Sequence, residues 1–190
     1  MDTFLLSTGV VAVAEMGDKT QLLSLILAAR FRRPWPIIAG IFVSTVLNHF
    51  AAGWIGQWTA NMIPAYLLRW IVGLGFIAIA GWALIPDKFE EDEALVKPYG
   101  AFIATAIAFF IAEMGDKTQI ATVALALKYS PLWQIVMGTT FGMMLANVPA
   151  VMLGNWISVR MHLLRYVRFV ASAIFAVLGV LALLGVGMQG

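Results

Sequence analysis

The sequence predicts an all-α polytopic membrane protein, with six transmembrane helices set out as two inverted three-helix repeats. Composition is the first ground. Of 190 residues, 62% are hydrophobic and 12% charged, with a mean hydropathy of +0.90. Ordinary soluble domains run at roughly 45–50% apolar and about 25% charged, so the bilayer is the expected solvent. The second ground is spacing: charges and helix breakers divide the chain into six apolar stretches near the length of about 20 residues that a membrane helix needs. The third is a repeat. The octapeptide AEMGDKTQ stands at residues 14–21 and again, letter for letter, at 112–119.

Taken in order, the spans fall at 3–29, 35–58, 66–86, 100–127, 132–157 and 164–187. The first and fourth contain the octapeptide and qualify only if its charges are tolerated inside the protein. The breaks are RFRRPWP at 30–36, TANMIPA at 59–65, PDKFEEDEALVKPY at 86–99, KYSP at 128–131 and SVRMHLLR at 158–165. Only the segment near the middle reads as a linker. The expected units are therefore residues 1–86, an acidic connector at 87–99, and residues 100–190.

The two octapeptides lie 98 positions apart. At that offset Gly40 meets Gly138, His49 meets Asn147, Gly56 meets Gly154 and Gly81 meets Gly179. LLRW at 67–70 matches LLRY at 163–166 with the offset slipping to 96. The chain reads as a duplicated three-span unit. An odd number of spans per unit makes the second unit enter from the opposite side, the inverted repeat typical of secondary transporters.

Short-loop charges set the orientation. One side carries Arg30, Arg32, Arg33, Lys88, Lys97, Arg160 and Arg165, with Arg168 at a helix start; the other carries Arg69 and Lys128. The richer side is expected to be cytoplasmic, which places both termini outside the cytoplasm. Anionic lipid head groups are expected partners of these arginines. Trp35, Trp54, Trp58, Trp70, Trp82, Trp133 and Trp156 lie mostly near span ends, as interfacial belts do. The opening stretch lacks a basic n-region, so it is expected to stay in the mature protein. Cysteine is absent, which excludes disulfides and thiolate metal sites. A scattered net charge of +2 gives no reason to expect nucleic acid.

The octapeptide is where the chemistry lies. On a continuous helix, residues three or four apart share a face, which would aim Glu15 with Asp18, and Glu113 with Asp116. Lys19 would then reach Glu15, and Lys117 would reach Glu113; Thr20, Gln21, Thr118 and Gln119 add nearby polar atoms. A charge at mid-bilayer costs about 2.5–3.5 kcal/mol on insertion scales. Six such groups are therefore expected to meet in the interior, near the midplane, rather than face lipid. Four carboxylates and two ammonium groups sum to −2, which one divalent cation would neutralise. Such oxygen-rich sites suit Ca²⁺, Mn²⁺ or Mg²⁺.

Gly17 and Gly115 permit a kink or local unwinding, or close helix packing; the sequence leaves both open. Met16 and Met114 offer a softer sulfur ligand or a gap-filling side chain. His49 lies in a polar patch with Ser44, Thr45 and Asn48. Its imidazole is a candidate proton relay or ligand, or else a packing hydrogen bond, and Asn147 is its repeat counterpart. The EEDE run at 90–93 is a solvated connector or a collector of ions.

On these residues the chain resembles a known family. E-x-G-D-K/R-T/S, present twice in a six-span protein of two inverted halves, is the signature of a cation/proton exchanger family first catalogued as unknown-function family 0016. EMGDKT matches it at 15–20 and 113–118. Members include Golgi and chloroplast envelope proteins and bacterial manganese exporters, and the short chain and compact linker are similar to the bacterial branch. The resemblance implies transport of Mn²⁺ or Ca²⁺ out of the cytoplasm in exchange for protons across the bacterial inner membrane. It assigns metal binding to Glu15, Asp18, Glu113 and Asp116, with no bound cofactor and no enzymatic activity. Oligomerisation is left open. A calcium/proton antiporter is the near alternative. A small-metabolite exporter would want an apolar pocket with few polar groups, an intramembrane enzyme lacks a Ser/His pair or HExxH run, and a passive channel would not depend on a proton gradient.

Overall fold

The computed structural model describes residues 2–85, 100–153 and 161–186. They form eight helices: α1 (Asp2–Glu15), α2 (Lys19–Phe31), α3 (Pro34–Ala60), α4 (Ala65–Ala83), α5 (Ala101–Glu113), α6 (Lys117–Lys128), α7 (Leu132–Leu153) and α8 (Met161–Leu183). The expected connector at 87–99, with its EEDE run, Lys88 and Lys97, lies outside the described residues, as do Gly154, Trp156 and Arg160.

Among the described residues, three helices are long and apolar enough to cross a membrane: Pro34–Ala60, Ala65–Ala83 and Leu132–Met152. Their outward faces are oily. Phe42, Phe50, Trp54 and Ile55 on α3, and Tyr66, Trp70 and Leu74 on α4, are all exposed. The interior holds an unusual share of polar groups, among them Ser44, Thr45, Asn48, Thr105, Thr139 and Asn147. Apolar outside and polar inside is the arrangement expected of a chain dissolved in lipid. It is an all-helical integral membrane protein.

The expected continuous helices at 3–29 and 100–127 are each two helices. Gly17 has φ +81° and Gly115 φ +74°, left-handed values that end a helix and that a side chain disfavours. Nothing lies within 4 Å of a Cβ built on Gly115, so that glycine serves conformation rather than close packing. Asp18 is extended, and its Oδ1 accepts from the Lys19 amide at 2.7 Å, starting α2 as an N-cap. Gln21 Oε1 accepts from the Gly17 amide at 3.0 Å, and Gln119 Oε1 from the Gly115 amide at 2.7 Å. Each motif glutamine thus satisfies a backbone donor that the break sets free.

Packing is reciprocal. α7 lies against α1 and α2, while α3 lies against α5 and α6. A Cβ on Gly40 would come within 2.8 Å of both the Phe102 carbonyl oxygen and Thr105 Cβ. A Cβ on Gly138 would meet the Phe4 carbonyl oxygen at 2.6 Å and Ser7 Cβ at 2.9 Å. Each of these residues stands 98 positions from its counterpart, so one contact is made twice with the halves exchanged. The last helix of each half, α4 and α8, closes a second seam, where Phe76 stacks on Phe175 and Gly73 abuts Gly179. The sequence correspondence of Gly81 with Gly179 is not a shared contact. Gly179 packs on Ile77 and Gly73, whereas Gly81 faces open space.

Candidate metal centre

The helix breaks bring the carboxylates together by a route different from a shared helical face. Glu15 closes α1 and Asp18 caps α2; Glu113 closes α5 and Asp116 stands before α6. Helix geometry therefore no longer relates Glu15 to Asp18 or to Lys19. The convergence is between halves. One oxygen each from Glu15, Glu113 and Asp116 lie within 4.8 Å of one another, and all three residues are buried.

Asp18, the fourth acid of the expected set, stands outside that 4.8 Å trio. Its Oδ1, already holding the Lys19 amide, lies 3.9 Å from Lys117 Nζ. The expected pairing of Lys117 with the glutamate of its own motif gives way to a link across the halves, because the break carries Lys117 onto a new helix facing the first motif.

The remaining polar groups orient the acids. Asn147 Nδ2 donates to Glu15 Oε1 at 3.3 Å, while Asn147 Oδ1 accepts from Ser24 Oγ at 2.8 Å. Thr118 Oγ1 donates to Glu113 Oε2 at 3.0 Å and lies 3.4 Å from Asp116 Oδ2. Gln21 Nε2 donates to the Ala146 carbonyl, tying α2 to α7. Glu15 Oε2 and Glu113 Oε1 have no hydrogen-bond partner among the described residues. Buried carboxylate oxygens without partners are costly, and a cation is the ligand that would satisfy both.

Other expected residues fall differently. Met16 and Met114 point outward, 46% and 62% exposed, so neither serves as a sulfur ligand or a core filler here. The break turns both away from the acids. Asn48 donates to the Phe110 carbonyl and joins α3 to α5 rather than meeting an acid. His49 and Thr20 are wholly buried without hydrogen-bond partners among the described residues. Lys19, within the first motif, is half-buried. Sequence reasoning missed Ser24 and Met143, whose Sδ lies 3.3 Å from Asn147 Nδ2. The available signal was position: Ser24 is one helical turn beyond Thr20, and Met143 one turn before Asn147.

A narrow crevice, with room for about 10 Å³ of water, runs alongside the Asp18–Lys117 pair, lined by Gly17, Asp18, Lys117, Ala83, Arg168 and Phe175 among others; none of the trio lines it.

Known proteins give the same picture of the whole chain. The family model described as "Divalent cation/proton antiporter GDT1" matches twice, over residues 3–91 and 101–189. A protein of Vibrio cholerae named "Putative manganese exporter" is 47% identical over 176 residues, covering 92% of this chain and 87% of that protein. A GDT1-like protein of Synechocystis is 27% identical, covering 79% of this chain and 82% of its own length. A chloroplastic PAM71 homologue of Arabidopsis thaliana is 26% identical over 96% of this chain and 59% of its own. No solved structure matches the chain at a significant level. Two family matches, one on each half and together spanning nearly every residue, leave one assignment: the chain belongs to the GDT1 family of divalent cation/proton antiporters.

Proposed function

We propose that this chain is a secondary transporter that exports Mn²⁺ from the bacterial cytoplasm in exchange for protons. The observation that carries this reading is the buried trio of Glu15, Glu113 and Asp116, drawn from both halves, with oxygens within 4.8 Å of one another. Clustered acids away from water must be neutralised by protons or by a cation. A metal arriving expels protons, and protons arriving expel the metal. Asp18 is the fourth acid, held by Lys117 in the state described here and available to an ion when that pair opens.

In this reading α1–α2 and α5–α6 are the first and fourth of six spans. Contacts along α3 run in step with residue number on α5 and α6, from Gly40 at Phe102 to Gly56 at Val123 and Ala126. Contacts along α7 run likewise on α1, from Gly138 at Phe4 to Gly142 at Thr8. This exchanged parallel packing supports two inverted three-span units rocking about a shared site. The Asp18 crevice has Ala83 and Arg168 on its walls, next to segments expected at the cytoplasmic face, and supports entry from that side with both termini opposite. The manganese assignment rests on the name of the Vibrio cholerae relative and on the oxygen donors, which suit Mn²⁺.

Proteoliposome flux tests the proposal. Mn²⁺ transport should rise with an imposed proton gradient of opposite direction and fall to background with a protonophore. Calcium transported in preference to manganese would sink the cargo assignment, and gradient-independent flux would sink the exchange mechanism.

A further inference from the structure

The acid trio leaves one buried, chemically capable side chain unused. His49 is 0% exposed, and neither Nδ1 nor Nε2 has a hydrogen-bond partner among the described residues. A buried imidazole without partners is expensive, and one such nitrogen is the commonest side-chain metal ligand.

Its position along α3 is fixed by its neighbours. Gly40 meets Phe102 and Thr105, Asn48 donates to Phe110, and Gly53 faces Thr122. His49 follows Asn48 on the same buried face, so it lies level with the α5–α6 break that carries Glu113 and Asp116. The other half gives the matching arrangement. Asn147, 98 positions on, stands beside Glu15 and donates to it. Exchange of the halves maps Asn147 onto His49 and Glu15 onto Glu113. The same mapping relates Thr118, which holds Glu113, to Thr20, which holds nothing described. In both pairs the member in the first half has no hydrogen-bond partner among the described residues, while its counterpart in the second half is engaged.

We propose that His49 supplies a nitrogen ligand to the transported ion beside Glu113, and that this ligand favours transition-metal divalents over calcium. Calcium takes oxygen ligands, whereas a site that adds an imidazole favours d-block ions. The imidazole stands outside the trio gathered within 4.8 Å. It engages when the α5–α6 break shifts and the two halves trade conformations, as alternating access in an inverted repeat requires. The inference rests on the acid site proposed above.

The test uses the purified full-length protein loaded with Mn²⁺ and read by electron spin-echo modulation, with metal offered on either face of reconstituted vesicles. Nitrogen-14 modulation from a directly bound imidazole is expected, and growth on ¹⁵N-histidine should change its frequencies without any substitution. His49→Asn, which copies the side chain of the other half, should abolish the modulation and lower the Mn²⁺/Ca²⁺ flux ratio by about tenfold. The same change at His162, the second of two histidines, should alter neither. Bound Mn²⁺ without nitrogen modulation, or modulation that survives His49→Asn, overturns the histidine ligand and leaves the acid site standing. Failure of the protein to bind Mn²⁺ in a manner sensitive to Glu15→Gln overturns both.

Discussion

Lys117 Nζ lies 3.9 Å from Asp18 Oδ1, so the lysine of the second motif is paired with the aspartate of the first. Both are buried. Removing one partner leaves an uncompensated interior charge, which typically costs about 3–5 kcal/mol, while removing both costs far less. Lys117→Met alone should therefore destabilise the protein more than the Lys117→Met/Asp18→Asn double variant. Thermal unfolding in detergent gives the coupling energy, expected at roughly 0.5–3 kcal/mol. Strict additivity would mean that the two charges do not interact.

The trio makes a sharper demand on function. Glu15→Gln, Glu113→Gln and Asp116→Asn each retain size and lose the charge that protons and metal compete for. Each should reduce proton-coupled Mn²⁺ flux by at least about 100-fold, the upper end of what losing even an outer-shell metal partner costs. Membrane levels, checked by immunoblot, should hold. Substantial flux in any one of them would remove that residue from the site.

Asn147 touches Glu15 without belonging to the acid set. Asn147→Ala should weaken Mn²⁺ binding by roughly 10–100-fold, as removal of an orienting partner does. Titration calorimetry measures it, and unchanged affinity would show that Glu15 is oriented without Asn147.

The glycines separate two kinds of constraint. At Gly115, φ is +74° with open space around a built Cβ, so Gly115→Ala should cost about 1–2 kcal/mol through backbone strain alone. Gly115→Asn should cost less, since asparagine enters that region more readily. If alanine and asparagine behave alike, strain is not the reason glycine is needed.

At Gly40 and Gly138 the constraint is space: an added Cβ meets backbone oxygen at 2.8 and 2.6 Å. Gly40→Ala and Gly138→Ala should each destabilise by about 1–3 kcal/mol through overpacking, and by similar amounts because the contact is the same. Unequal losses in thermal unfolding would argue against equivalent halves.

Much of this protein could be read before any coordinates. Composition forces a lipid-solvated helical chain, since 62% hydrophobic residues leave too few polar groups to face water. The repeated octapeptide marks duplication and marks the acids, because charge in an apolar run is too costly to keep without use. Helix periodicity, however, treats Glu15, Asp18 and Lys19 as neighbours on one face, and that relation fails. Gly17 and Gly115 can continue a helix or end it, and the local sequence is the same in either case. Tertiary packing decides for the break, because only a turned backbone lets two motif copies from different halves meet at Glu15, Glu113 and Asp116. The same long-range packing hands Lys117 to Asp18, turns Met16 and Met114 outward, and sets Asn147 against Glu15, contacts between residues too far apart in the chain for periodicity to relate.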